Sequence, residues 1–293
     1  MTFHKIISSI KNLMKAYKKL FLILLYTISI GFALSGLIYL WQDYLLSQHP
    51  DVKPFHFSKI LSRSLTIVLF FVMIWFCRSV EKRSLVSYGL ETDPYTIRIL
   101  IGGFLLGNFS MLALIALHLN FYGSSIEIKE LSIHFYINLV VQLFVVFIIA
   151  LVEEWFFRGY LLQILRKDYG SNKAIFFSSI FFAMTHFVRP ISEYSQLIPE
   201  FFGLFLIGII LAYSTILSGN IYFSIGIHAG WVYIVKINKY FVNHFDSYFQ
   251  EMIGAEKLLK SLSSWVLVII VLYILKSIIR VCKNHPIEDY KKS

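Results

Sequence analysis

The sequence predicts an all-α, polytopic membrane protein with about eight transmembrane helices. Hydrophobic residues make up 57% of the 293 residues and charged residues only 15%, whereas soluble domains carry about 25% charged residues. The mean hydropathy is +0.69. Apolar residues also occur in runs of about 20, which is the length that a helix needs to cross a bilayer. A soluble fold could not bury this much apolar surface, so we expect an integral membrane protein.

Eight apolar runs are candidate spans, within one helical domain at 20–282 that a cytoplasmic tail at 283–293 follows. A span needs roughly 17–25 apolar residues. The fourth run exceeds that length, so it must tilt or project from the membrane. In the third run, Gly103 and Gly107 form a small-xxx-small pair, which predicts close helix packing. The runs are 20–41, 61–77, 99–119, 134–166, 173–188, 198–217, 221–237 and 262–280.

Residues 1–19 form a separate basic segment before the first span. Five lysines alternate there with apolar residues at helical spacing. This pattern predicts an amphipathic helix that lies on an anionic membrane face. A frayed tail is the alternative.

The net charge of +10 describes membrane topology rather than a nucleic-acid partner. Most Lys and Arg fall in short segments between the apolar runs, as in membrane proteins. With eight crossings, five segments share one side and hold 18 of the 27 basic residues. This bias predicts that both termini are cytoplasmic, and we expect a bacterial plasma membrane. The inside segments are 1–19, 78–98, 158–173, 218–220 and 276–293.

Five ionisable residues lie deep inside apolar sequence, where their cost makes each one a functional candidate. One alternative is that the two glutamates are solvated at the interface, with the arginine marking the membrane edge. Another is that each histidine is a hydrogen-bonded packing residue. Packing alone does not explain a Glu-Glu-x-x-x-Arg segment and two histidines in three separate spans. The residues are Glu153, Glu154, Arg158, His186 and His228.

Chain distances place part of this set at one depth. Gly170 lies in a polar segment that predicts a turn between antiparallel helices. Glu154 lies 16 residues before it and His186 lies 16 residues after it, so the two reach similar depths at about 1.5 Å per residue. His228 lies only eight residues after Asn220, so we expect it to be shallower than Glu154 but still within the membrane.

Spacing also suggests a role for each residue. Glu154 and Arg158 are four residues apart on one helix and can pair. Glu153 points about 100° away and has no cation nearby in sequence, so we assign it as the base that activates water. We expect His186 to orient that water or share its proton, and His228 to stabilise an oxyanion or donate a proton.

A metal is the alternative to this carboxylate chemistry. Glutamate and histidine are ligands of zinc, and Glu153, His186 and His228 would be the ligands here. The spacing is not the His-Glu-x-x-His of soluble zinc peptidases. We therefore expect no required cofactor.

The same residues resemble the three motifs of the CPBP family, the Abi-type intramembrane proteases that include CAAX proteases and bacteriocin-processing enzymes. The resemblance covers about residues 95–240. It implies a helical endopeptidase with a conical, cytosol-facing cavity that cleaves membrane-bound or lipidated peptides near their C-terminus. It also implies glutamate-dependent catalysis, with Glu153 as the catalytic residue. The motifs are Glu153-Glu154-x-x-x-Arg158, Phe182-x-x-x-His186 and His228-Ala229.

One position departs from the family pattern. The third motif usually has an asparagine, an oxyanion donor, four residues after its histidine, and this chain has Val232 there. Removing one such donor costs an enzyme about 10²–10³ in rate. Either Asn220, Ser224 or Trp231 substitutes for it, or activity is weak or lost.

Three functions therefore compete. The first is an intramembrane endopeptidase whose partners are the bilayer and a peptide or lipidated protein. The second is a non-catalytic membrane scaffold or bacteriocin-immunity protein that retains the fold. The third is a transporter or proton pathway with a Glu, His and Arg relay, although no duplicate of the Glu-Glu-x-x-x-Arg segment indicates the repeats typical of transporters.

Overall fold

A computed structural model describes residues 3–49, 51–122, 132–188, 197–238 and 262–284. The structure is 89% helical, and no strand occurs within these ranges. The predicted all-α class is therefore confirmed. The predicted tail at 283–293 lies almost wholly outside the described residues.

Every predicted span coincides with a helix, and the long fourth run forms two helices. A π-helix at Phe76–Val80 extends the second helix, and another at Trp155–Leu161 joins the fourth and fifth. Short 3-10 helices occupy Leu85–Tyr88 and His186–Val188. The α-helices are α1 (Phe3–Gln48), α2 (Phe57–Trp75), α3 (Thr96–Tyr122), α4 (Ile133–Glu154), α5 (Leu162–Tyr169), α6 (Ser171–Thr185), α7 (Leu197–Ser218), α8 (Tyr222–Asn238) and α9 (Leu262–Asn284).

Five helical stretches in the described ranges are long and apolar enough to cross a membrane by themselves. Helices α6 and α8 have only 15 and 17 residues, so packing against longer neighbours must hold them in position. The stretch Ile133–Tyr169 has 37 residues, or about 55 Å of helix, against a hydrocarbon core of about 30 Å. It therefore tilts or projects, as its length predicted. The five stretches are Tyr17–Gln48, Phe57–Val80, Thr96–Ala116, Ile133–Tyr169 and Leu197–Ser218.

The basic N-terminal segment is helical from Phe3 and continues into the first span without a break. The resulting helix α1 has 46 residues, which is about 70 Å and more than twice the hydrocarbon thickness. Its location on the membrane surface stays a prediction, as does the division of the chain into domains.

Helices α3 and α8 cross at unusually short range through glycines on both sides. A Cβ on Gly103 would lie 2.5 Å from the carbonyl oxygen of Phe223, and one on Gly230 would lie 2.5 Å from that of Phe104. Close backbone approach through small residues is typical of membrane helix pairs. The packing predicted for α3 is confirmed, and the glycines of α8 supply its second half. This crossing fixes the position of α8, which carries His228.

Segments predicted to lie inside meet at one end of the helices. The segments that contain Tyr17, Glu81 and Tyr169 contact one another and the start of α8, so they share one membrane face. The assignment of that face to the cytoplasm stays a prediction. The contacts are Tyr17 Oη to Tyr169 Oη (2.8 Å), Lys19 Nζ to Glu81 Oε1 (2.9 Å), Ile221 N to Gly89 O (3.3 Å) and Tyr222 Oη to Leu90 O (3.0 Å).

Adjacent glycines of α3 provide a matched test of the crossing. We expect Gly103→Ala to lower the melting temperature in detergent, because overpacking typically costs about 1–3 kcal/mol. Gly102→Ala is the control, since a Cβ on Gly102 meets no atom within 4 Å. Thermal unfolding of both variants checks the prediction. Equal melting temperatures for the two would contradict the described crossing.

Candidate active site

Glu154 is fully buried and accepts hydrogen bonds from two other residues of the candidate set. Its side chain is 0% exposed, and its Oε1 accepts hydrogen bonds from Arg158 Nη1 and His228 Nδ1, each at 2.9 Å. Arg158 is only 1% exposed. The predicted pairing of Glu154 with Arg158 is therefore confirmed. The alternative that both glutamates are solvated at the interface is wrong for Glu154, which is fully buried, while Glu153 is 21% exposed.

Arg158 joins three helices around this pair. Its Nη2 donates to the carbonyl oxygen of Gly208 in α7 at 3.2 Å. Its guanidinium carbon lies 4.5 Å from the ring centre of Phe182 in α6, within the range of a cation–π contact. The π-helix that carries Arg158 follows Glu154 directly, and π-helical turns are frequent at functional sites. One side chain thus holds α7 and α6 to the end of α4.

The hydrogen bond of His228 defines which of its nitrogens is available. Glu154 also accepts from the cationic Arg158, so it acts as a carboxylate, and His228 Nδ1 must be the donor. Nε2 then faces Glu153, with 3.8 Å between Nε2 and Glu153 Oε2. That distance is too long for a direct hydrogen bond. One water could contact both atoms.

The two neighbouring glutamates differ in environment. The side chain of Glu153 is 21% exposed, whereas that of Glu154 is fully buried. Glu154 has one oxygen shared between two donors, while the contact of Glu153 with His228 leaves room for a further group. Glu153 is therefore the carboxylate that a water or a substrate can reach.

His186 lies on the same side of α6 as the arginine contact. Its Nδ1 is 2.8 Å from the carbonyl oxygen of Phe182, and a carbonyl only accepts, so Nδ1 donates and Nε2 is an acceptor in the neutral ring. The Phe182 ring lies 4.5 Å from the His186 ring and 6.3 Å from the His228 ring. Phe182 therefore connects both histidines with Arg158.

The predicted hairpin is confirmed. Helices α5 and α6 are joined at Gly170, which has a φ of +77°, a conformation that favours glycine. Across the hairpin the Phe157 and Phe182 rings meet at 5.1 Å. His186 is linked to Glu154 through Phe182 and Arg158.

The expected depth of His228 was wrong. A residue that bonds directly to Glu154 lies at the level of Glu154 rather than nearer the surface. Ile221, just before α8, is 0% exposed, and its N–H donates to the carbonyl oxygen of Gly89. Chain distance from the two turns did not predict this contact, because the stretch Ile133–Tyr169 has 37 residues and tilts or projects.

Val232 lies one helical turn after His228, and two of the three neighbours considered as substitute donors are engaged elsewhere. Trp231 Nε1 donates to Ser110 Oγ at 2.8 Å. Ser224 Oγ donates to the Ile221 carbonyl oxygen at 2.8 Å. The third, Asn220, caps α8 by accepting from the Tyr222 N–H at 3.1 Å.

The residues considered for zinc do not form a ligand set. Within the described ranges, no group of three His, Cys, Asp or Glu side chains is placed to hold one metal ion. Glu153 approaches His228, while the Nδ1 of His186 bonds to a backbone carbonyl. The metal requirement stays a prediction.

Comparison with known families supports the family resemblance that the three motifs indicated. Residues 135–234 match the family model described as type II CAAX prenyl endopeptidase, Rce1-like. The matched segment is similar to the Rce1-like endopeptidases. It covers about a third of the 293 residues and contains all five candidate residues. No curated protein matches the chain.

The match confirms the resemblance to CPBP and CAAX proteases that the three motifs indicated. The Rce1-like segment relates the protein to membrane-embedded endopeptidases in general. With the apolar helices, it identifies an integral membrane protein. It includes α4 to α8 except for the first two residues of α4 and the last four of α8, so the whole contact set of Glu154 and Arg158 lies inside it.

Two residues that organise the site were not assigned from the sequence. Gly208 offers its carbonyl oxygen to Arg158, and a Cβ there would lie 2.9 Å from the Ser179 Cα. Nothing in the apolar run around Gly208 indicates this role. Phe182 belongs to a quoted motif, but its contact with three site residues depends on the packing of α6.

Removing Arg158 should destabilise the whole helix arrangement. Breaking a buried ion pair typically costs about 3–5 kcal/mol, because the remaining charge stays buried without a partner. We expect Arg158→Ala to lower the melting temperature in detergent strongly. Arg166→Ala is the control, since Arg166 is exposed on α5. A melting temperature for Arg158→Ala equal to that of the control would refute the described burial.

Proposed function

We propose that the protein is an intramembrane endopeptidase that hydrolyses a peptide bond of a membrane-bound or lipidated substrate with water activated by Glu153. The observation that supports it best is the paired geometry of the glutamates. Glu154 fixes His228 through Nδ1, and this turns Nε2 towards the partly exposed carboxylate of Glu153 at 3.8 Å. A buried carboxylate that orients a histidine beside a reacting group is a recurring catalytic arrangement.

The proposed reaction begins with a water between Glu153 and His228. Glu153 takes one proton from this water as the oxygen attacks the carbonyl carbon of the substrate. The negative charge of Glu154 stabilises positive charge on His228, so that Nε2–H can stabilise the oxyanion. The proton held by Glu153 then passes to the leaving amine as the carbon–nitrogen bond breaks. His186 Nε2 is assigned to orienting the water or sharing its proton.

The proposal needs no metal, and it locates the reaction in the membrane. The bilayer and a peptide or lipidated protein are the proposed partners. Both termini are proposed to be cytoplasmic in a bacterial plasma membrane, because the predicted inside segments hold 17 of the 26 basic residues other than the buried Arg158. If a metal takes part, Glu153, His186 and His228 are the residues to test as its ligands.

One observation favours the second candidate, a scaffold or bacteriocin-immunity protein without catalysis. Val232 offers no hydrogen bond at the position where the family pattern has an amide, and Trp231 and Ser224 donate to other groups. The transporter alternative has less support. Arg158 and His228 both bond to Glu154 at one level, whereas a proton relay needs groups spread across the membrane.

Conversion of Glu153 to glutamine should abolish cleavage and preserve the fold. Glutamine retains the size of the side chain but cannot accept the proton, so the loss falls on kcat. Glu154→Gln is the matched comparison, and it should lower the melting temperature as well, since it weakens two buried hydrogen bonds. The measurement is cleavage of a membrane-anchored peptide by purified protein in detergent, with and without a chelator.

Each outcome of that assay separates the candidates. Cleavage by wild type that persists in Glu153→Gln would exclude Glu153 as the base and make Glu154 the next candidate. Cleavage that disappears with chelator and returns with zinc would contradict the metal-free mechanism. A folded wild type that cleaves none of a diverse set of anchored peptides would favour the scaffold.

Val232→Asn tests the missing donor directly. Position 232 lies one turn after His228 on nearly the same side of α8, so an amide there could reach an oxyanion formed beside His228. We expect kcat to rise by about 10-fold or more with little change in KM, since one donor contributes up to about 10²–10³. Val232→Leu is the control for altered packing. An equal kcat for Val232→Asn and wild type would show that the protein does not need a donor at this position.

A further inference from the structure

A cleft of about 390 Å³ lies at the Gly170 end of the α5–α6 hairpin, away from the candidate active site. Two of its residues belong to the first turn of α6, and two lie one turn further along that helix. All five lining side chains are exposed. They are Tyr169, Asn172, Lys173, Phe176 and Phe177.

The order of these residues matches a membrane interface. Asn172 and Lys173 are polar, and Phe176 and Phe177 follow about 6 Å further along the helix axis. The Tyr169 hydroxyl accepts a hydrogen bond from the Tyr17 hydroxyl at 2.8 Å. Tyr17 lies three residues before the predicted span 20–41, so the cleft lies close to the predicted start of that span. Aromatic residues are enriched at this level.

The cleft carries an uncompensated positive charge. No carboxylate within the described ranges forms an ion pair with Lys173. Arg166 and Lys167 are exposed on the last turn of α5, and Asp168 is the acidic residue beside them. Helix α6 also begins without a side-chain cap, so its first N–H groups favour an anion nearby. Positive charge above an aromatic wall is complementary to an anionic lipid rather than to a neutral one.

We propose that this cleft binds an anionic membrane phospholipid. Its phosphate would lie against Lys173 and Asn172, and the upper part of an acyl chain would lie against Phe176 and Phe177. Basic residues close to a membrane surface attract anionic lipids. The positive-inside count predicts that this end is cytoplasmic, and the cytoplasmic leaflet is the one that carries anionic lipids. The lipid would brace the turn of the hairpin whose opposite part carries Arg158 and Phe182.

The test uses the full chain in a neutral detergent with added phosphatidylglycerol or phosphatidylcholine. We expect phosphatidylglycerol to raise the melting temperature of the wild type, because a ligand that binds only the folded state stabilises it. Lys173→Gln should weaken the apparent lipid affinity roughly five-fold, as expected for one basic residue near the surface. Lys173→Arg should retain it. Lys167→Gln is the matched control, since Lys167 lies at the same membrane end outside the cleft lining.

Native mass spectrometry of the same proteins should show retained phosphatidylglycerol in the wild type and in Lys167→Gln, and less in Lys173→Gln. If Lys173→Gln and Lys167→Gln lose equal amounts of phosphatidylglycerol, the lipid is attracted by the general positive surface potential and not by a specific site. Equal stabilisation by phosphatidylcholine, or by inorganic phosphate alone, would also overturn the proposal. None of these measurements uses peptide cleavage, so the lipid site and the proposed protease activity stand or fall separately.

Discussion

The rest of the structure depends on the hydrogen bonds that Arg158 and His228 donate to Glu154, a carboxylate with no solvent contact. Removing a charge from water costs several kcal/mol even after relaxation of the protein, so the residue persists only with partners on its oxygen. Arg158 and His228 supply them at 2.9 Å. These partners come from the adjoining π-helix and from α8, so burial of one charge joins elements that are 74 residues apart.

The surrounding architecture supports this junction. The glycine crossing of α3 and α8 fixes the depth of His228, and the Gly208 carbonyl oxygen gives Arg158 a second acceptor. Phe182 contributes a ring beside the guanidinium and a carbonyl oxygen for His186. Three of these contributions come from backbone atoms or from the absence of a side chain. They are therefore positions at which a substitution alters geometry without altering charge.

Division of labour between adjacent glutamates follows from the same constraint. A helix turns by about 100° per residue, so when Glu154 points at Arg158, Glu153 points elsewhere and remains 21% exposed. One carboxylate is then structural and the other is accessible. The arrangement resembles other sites in which a buried acid orients a histidine, and here the two acids are consecutive in sequence.

The sequence by itself determined the membrane class, the helices and the identity of the candidate residues, because hydropathy, 3.6-residue spacing and the cost of intramembrane charge are local properties. The Glu154–Arg158 pair also followed from spacing alone. Only the tertiary structure decided that His228 bonds to Glu154. That contact depends on the position of α8, which is set by its glycine crossing with α3. The sequence also did not indicate that Gly208 accepts a hydrogen bond from Arg158. The acceptor is a backbone oxygen, and the packing of α6 and α7 sets its direction.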